Sequence, residues 1–139
     1  MYPFEYSVAL RFRHPRIDPK VISEQIGRKP SRSWTAGDAR TTPKGERLRG
    51  HNEETYWSAP LHSKRTLDSR KTDFEKFIIV VIDKLEPHKK FINKLIRGGG
   101  KAEIFIGLFG TNDYGFELKR EHIKRLGAVG VGISVCIYP

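Results

Sequence analysis

Residues 4–27, FEYSVALRFRHPRIDPKVISEQIG, predict a strand followed by a short helix. Within residues 4–13 apolar side chains alternate with polar or small ones; the apolar set is Tyr6, Val8, Leu10 and Phe12. A period of two is typical of a strand with one buried face. Asp18 then precedes Pro19, which favours a helix N-terminus, and Gly27 is a typical helix stop.

The remainder of the chain continues this mixture of strands and helices. Strands are predicted over residues 54–61, 101–109 and 129–138, with a short one over 116–118. A helix begins after Thr72 and breaks or restarts at Pro87, and another covers 119–126 and ends at Gly127. We therefore expect one α+β domain over residues 1–139. Its form would be a two-layer sandwich, ferredoxin-like or related, with a single mainly antiparallel sheet of about five strands and helices packed on one face.

Residues 28–50, RKPSRSWTAGDARTTPKGERLRG, interrupt that pattern with a polar segment that can bury little apolar surface. The segment holds seven Lys or Arg, two acids and closely spaced Gly and Pro. We interpret it as a long basic loop, since long connections are more often functional than short ones. Trp34 could stack on a ligand ring, although pinning the loop to the core is favoured, with Asp38 paired to Arg40 or forming a turn.

The net charge of +10 is concentrated in the first half of the chain. Residues 1–72 carry fifteen Lys or Arg against eight acids. Such a field attracts nucleic acid, anionic membranes or acidic proteins, although solubility alone also explains it. No apolar run is long enough for a membrane span, the first residues lack the features of a signal peptide, and a single Cys136 fits a reducing compartment. We expect a cytoplasmic protein.

Chemical motifs are absent from the sequence. The five histidines are scattered without metal-ligand spacing, and one cysteine cannot build a thiolate site. The glycines of 98–100 and 127–132 lie in the wrong order for a phosphate or dinucleotide loop. No serine or cysteine stands in a nucleophile motif. We therefore predict no catalytic residue, metal or cofactor, and an enzyme is the least favoured class.

Several short motifs resemble a bacterial family known as domain of unknown function 4279. They are RHP (13–15), IDPKVISEQIG (17–27), RKPSRSWTAGD (28–38), TPKG (42–45), YWS (56–58), EIFIGLFG (103–110), GFEL (115–118) and IYP (137–139). The resemblance implies a stand-alone bacterial domain without an established activity. Some similar small families serve as immunity proteins, and the resemblance carries over no catalytic residue.

The sequence thus favours a binding domain that acts through a protein partner, in a regulatory or immunity-like role. The alternative is non-specific nucleic-acid binding through the basic loop. Trp34 and Arg40 are the expected anchors, because Trp and Arg dominate interface energetics. The candidate contact residues are Arg28, Arg32, Trp34, Asp38, Arg40, Arg49, Trp57, Asn112 and Tyr114. Tyr56 and Trp57 are adjacent on a strand, so one of them must face the core, and Trp57 joins the surface only if it points outward.

Overall fold

The fold, a computed structural model that describes residues 2–139, is of the α+β class. Its strands are β1 (Glu5–His14), β2 (Arg32–Trp34), β3 (Ala39–Thr41), β4 (Arg47–His51), β5 (Thr55–Pro60), β6 (Leu67–Asp68), β7 (Lys101–Phe109) and β8 (Val131–Tyr138). Its α-helices are α1 (Pro19–Ile26), α2 (Phe74–Leu85), α3 (Lys89–Arg97) and α4 (Arg120–Val129). A short 3₁₀ turn, Glu86–His88, joins α2 to α3 at the predicted break.

Six of the strands form one mixed, mostly antiparallel sheet in the order β2-β5-β1-β7-β8, with β6 against the first residues of β1. The prediction of about five strands omitted β2 and β6 and included residues 116–118, which form no strand. The pair β7–β8 is parallel and is connected through α4, whereas β1 runs antiparallel to both β5 and β7. The β1–α1–β2 and β5–α2–α3–β7 connections each join two parallel strands that have one antiparallel strand between them, a split βαβ arrangement, whereas β7–α4–β8 joins adjacent parallel strands.

The hydrophobic core lies between the helices and one face of this sheet. The predicted alternation of β1 is confirmed: Tyr6, Val8, Leu10 and Phe12 are all at most 1% exposed. The same cluster takes in residues of every helix, from Ile22 of α1 to Val129 of α4. Because the helices cover this one face, outward-pointing residues of the central strands form a second face without helices, which we call the open face.

Capping residues set the helix boundaries as predicted for α1, but the predicted end of α4 was wrong. Asp18 caps α1 by accepting a hydrogen bond from the Lys20 N–H at 2.9 Å, and Gly27 ends the helix in a left-handed conformation. Gly127, the predicted stop of α4, lies inside that helix. The stop is Gly130, whose φ of 92° a side chain would strain, so Val129 belongs to α4 and the last strand begins at Val131. Residues 116–118 form no strand.

The sheet ends in two unlike edge strands. The edge strand β2 is short and polar, and β8 at the other edge is eight residues long without a charged side chain. Ile133, Val135 and Ile137 of β8 are 38%, 44% and 69% exposed. Long apolar edges are available for pairing with another polypeptide.

Within residues 2–139, none of the helices combines the length and apolar character needed to cross a bilayer.

His14, at the end of β1, is expected to make stability depend on pH. Its Nδ1 accepts hydrogen bonds from the backbone N–H groups of Arg16 and Ile17, both at 2.9 Å. Burial, and secondarily the charge of Arg16, lowers the pKa of His14 below its usual 6.5. Protons therefore bind the unfolded chain more readily, and the contribution of His14 to the free energy of unfolding is present above pH 6.5 and is lost as the pH falls below it.

Urea unfolding at about pH 7.5 and about pH 5.5 measures this dependence. We expect the loss of stability at the lower pH to be smaller in His14→Gln than in the wild type, because glutamine does not titrate. His51→Gln is the matched control, since His51 is exposed on β4. An unchanged loss in His14→Gln would contradict the assignment, as would an equal reduction in the His51 variant.

Candidate functional site

The basic segment 28–50 is not one uninterrupted loop, because it contains β2, β3 and most of β4. Its first part, β2, pairs with β5 and extends the sheet, and β3 and β4 form a separate two-stranded hairpin. Asn52 links the base of the hairpin to the chain that follows β2. Its N–H donates to the Asp38 carbonyl at 2.9 Å, and its side-chain amide donates to the Thr35 carbonyl at 3.0 Å. Because β2 gains its hydrogen bonds from β5, which lies outside the segment, local composition did not indicate this strand.

A row of stacked side chains crosses the open face beside this segment. Trp34 stacks on Tyr56, with ring centroids 4.5 Å apart and planes inclined by 22°. The Arg32 guanidinium lies 5.0 Å over the Trp34 ring, and the Arg13 guanidinium lies 4.9 Å over the Tyr56 ring. Arg13 also pairs with Glu54 at 2.9 Å. Stacking holds these guanidinium groups in place while leaving the edge of Arg32 exposed to solvent.

Positive charge around Trp34 is not neutralised within the protein. The segment carries Arg28, Lys29, Arg32, Arg40, Lys44, Arg47 and Arg49. None of these forms an ion pair within 4.0 Å in the part of the chain that the structure describes, residues 2–139. Two donate to carbonyl oxygens instead, Arg28 to Pro60 at 3.1 Å and Arg40 to Arg49 at 3.2 Å. The segment therefore presents a cluster of cations that no acid of the described chain pairs with.

Trp34 also lies at the junction of three open cavities. The largest, about 760 Å³, separates α1 from the hairpin and has Asp38 in its wall. A second, about 560 Å³, is bounded by Arg40, Arg49 and Glu54, and the third, about 300 Å³, lies on the side of Arg32. We call Arg32, Trp34, Arg40, Arg49 and Tyr56 the Trp34 surface. It brings together four of the predicted contact residues and adds Tyr56.

Trp57 does not belong to this surface. It is fully buried, packs against Phe12 with ring centroids 5.5 Å apart, and donates from Nε1 to the Ser23 hydroxyl at 2.9 Å. Tyr56 is the outward member of the pair, because successive strand residues point to opposite faces. Strand alternation required either Tyr56 or Trp57 to point inward. The pairing register decides that it is Trp57, because Trp57 lies opposite Phe12, which belongs to the buried face of β1.

Asn112 and Tyr114 lie far from the Trp34 surface. Their turn follows Phe109, which is paired with Glu5 at the beginning of β1, whereas Tyr56 is paired with Arg13 near its end. Eight residues of strand span roughly 27 Å at about 3.4 Å each. Tyr114 stacks on Phe4 at 5.0 Å and Asn112 is exposed. The two parts of the predicted contact surface are therefore not brought together.

The groups with displaced pKa values lie elsewhere and support the fold. Burial, with a smaller effect of the Asp73 charge, raises the pKa of Tyr6 to about 12, and its hydroxyl donates to the Thr72 carbonyl. Hydrogen bonds from Arg70 lower the pKa of Asp68 to about 2. No cluster of three or more His, Cys, Asp or Glu side chains within residues 2–139 is arranged to hold a metal ion.

Comparison with known proteins assigns a family to nearly the whole chain. The family model described as domain of unknown function (DUF4279) matches residues 4–139. No curated protein and no solved structure matches. The family match confirms the resemblance carried by the sequence motifs, and its description names no reaction, ligand or partner.

Proposed function

Since the chain belongs to the DUF4279 family, whose description names no activity, we propose a function from its geometry: binding of an acidic protein partner. The Trp34 surface is the proposed contact, with Trp34 and Arg40 as its anchors. The observation that carries the proposal is the set of seven cations in residues 28–50, none of which forms an ion pair with an acid within residues 2–139. A regulatory or immunity-like role, in which the partner is sequestered, fits a small domain of this kind.

Some of the cations are held by contacts within the protein before any partner binds. Arg32 is stacked on Trp34, and Arg40 is held by the carbonyl oxygen of Arg49. A guanidinium that is already oriented loses less conformational entropy when it pairs with a carboxylate than a free side chain does. Carboxylates of a partner that bind beside Trp34 would also be partly shielded from water. These features favour specific recognition over general attraction by net charge.

Two features favour a protein over a nucleic acid as the partner. Trp34 and Tyr56 already have each other and two guanidinium groups as stacking partners, so a base could stack only by displacing one of them. The edge strand β8, at the opposite edge of the sheet, carries no charged side chain to pair with phosphates, and with Ile137 exposed it suits a polypeptide. We propose a two-layer sandwich for the fold. In that arrangement the helices pack on the other face of the sheet and leave the Trp34–Tyr56 stack and the edge of β8 uncovered.

Comparative capture from a nuclease-treated cell lysate tests the proposal. The bait is the wild type, the double variant Trp34→Ala/Arg40→Ala, or a control double variant, Lys89→Ala/Lys90→Ala, whose lysines are exposed at the start of α3. We expect at least one acidic protein to be retained by the wild type and the control and lost from the Trp34/Arg40 variant. Identical protein sets from all three baits would contradict the proposed surface.

Nucleic-acid binding is the second candidate, because five of the seven cations are arginines set beside an aromatic pair on a sheet face. Fluorescence anisotropy of labelled single- and double-stranded oligonucleotides at several salt concentrations distinguishes the two. A saturable affinity whose log–log salt slope is about −3 or steeper would indicate roughly three phosphate contacts and favour nucleic acid. Weak, non-saturating binding is the result expected for the acidic-protein proposal.

A further inference from the structure

A fourth cavity, separate from the Trp34 surface, opens where α1 and α2 meet beside the end of β5. It encloses about 300 Å³. Its buried lining consists of Leu10, Val81 and Leu85, and partly buried Ile26, Leu61 and Phe77 complete the apolar wall. An apolar cavity with a few polar groups at its mouth is the usual form of a small-molecule site.

The mouth of this cavity is cationic. Arg28, Lys84 and His88 are among its lining residues, and none of the lining residues, all of which lie within residues 2–139, is acidic. The Arg28 guanidinium is anchored by its donation to the Pro60 carbonyl at 3.1 Å, which leaves its other N–H groups unused. The acids nearest to Lys84 in sequence, Asp83 and Glu86, are both bound by Arg125 at 2.5 Å. The charge at the mouth is therefore not neutralised by these acids.

We propose that this cavity binds a small amphiphilic carboxylate, with its hydrocarbon part inside and its carboxylate at the Arg28–Lys84–His88 mouth. At about 30 Å³ for each water-sized group, the cavity holds roughly ten non-hydrogen atoms, which is the size of octanoate. The hydrocarbon would gain by leaving water, and the carboxylate would form charge-assisted hydrogen bonds at the mouth. A ligand of this size would bridge α1 and α2.

Titration of ¹⁵N-labelled protein with octanoate, followed by NMR, tests the proposal. We expect saturable shifts at Gly27, Leu61 and Leu85, with a dissociation constant below about 1 mM, which is attainable for a ligand of roughly ten atoms. Octanol, which has the same chain without the charge, should bind at least about tenfold more weakly, since it cannot form the charge-assisted contacts. Val80→Trp should abolish binding, because exposed Val80 lines the cavity and the larger ring would fill it.

A charge-matched pair of variants isolates the role of the mouth. Lys84→Glu should weaken octanoate binding at least about fivefold by replacing attraction with repulsion. Lys76→Glu changes the net charge equally from an exposed position of α2 that does not line the cavity, and it should leave binding unchanged. The proposal is overturned if octanoate gives no saturable shifts, if octanol binds equally well, or if the two lysine variants behave alike. The capture experiment at Trp34 does not depend on any of these results.

Discussion

The substitution Trp57→Ala is expected to lower the free energy of unfolding by about 3–5 kcal/mol, as for other large aromatic truncations in a core. Trp57 is fully buried and packs against Phe12. It also joins β5 to α1 through its hydrogen bond to Ser23, which alanine would leave without this donor. Urea unfolding followed by circular dichroism gives the free energy.

The neighbouring Tyr56 provides the matched control. Tyr56→Ala removes an aromatic ring from the same strand but from the open face, where the ring stacks on Trp34. We expect it to cost about 1 kcal/mol, the typical value of an aromatic pair. If Trp57→Ala does not fold, Trp57→Phe keeps a ring in the core and should still cost more than Tyr56→Ala. Equal losses from the two positions would contradict the assignment of inner and outer faces.

The substitution Glu103→Leu is expected to cost about 3 kcal/mol, because it leaves a largely buried guanidinium without its carboxylate. Arg11 donates to Glu103 at 2.5 Å across the β1–β7 pair, and their side chains are 19% and 10% exposed. Arg11 also lies 4.0 Å over the Phe105 ring, which does not replace the lost charge pairing. Urea unfolding again measures the change.

The double variant Arg11→Met/Glu103→Leu separates an unpaired charge from lost packing. Replacing both partners of a buried ion pair by apolar groups is often nearly neutral, so the double variant should regain most of the stability lost in Glu103→Leu. Asp68→Ala, which breaks the Asp68–Arg70 pair, should cost less than Glu103→Leu, because the Arg70 side chain is 71% exposed and stays hydrated without its partner. A double variant no more stable than Glu103→Leu would show that the unpaired Arg11 is not the cause of the loss.

Local patterns predicted several elements of this chain because each signal acts within one turn or one strand. The alternation in residues 4–13 gave β1 and its buried face, and Asp18 with Gly27 gave both ends of α1. The prediction for Gly127 was wrong because a glycine stops a helix only where the backbone turns left-handed. That happens three residues later, at Gly130, beside the side chain of Ile96.

The candidate site was predictable only as a collection of residues. Residues 28–50 were identified from their charge and from Trp34, but Tyr56 and Arg13 were missed. The contact of Tyr56 with Trp34 depends on β2 pairing with β5, and the contact of Arg13 with Tyr56 depends on β5 pairing with β1. No pattern among neighbouring residues indicates such pairing. The strand β2, which gains its hydrogen bonds from the distant strand β5, has the composition of a loop.

Four features were predictable from local patterns: the α+β class, the inner face of β1, the ends of α1 and the concentration of positive charge in one segment. Tertiary structure alone decided the strand order, the burial of Trp57, the gathering of Trp34, Tyr56 and Arg13 on the open face, and the separation of Asn112 and Tyr114 from them. The physical reason is the range of the interactions involved. Side-chain periodicity and helix capping act between near neighbours in the chain, whereas strand pairing and core packing join residues many positions apart.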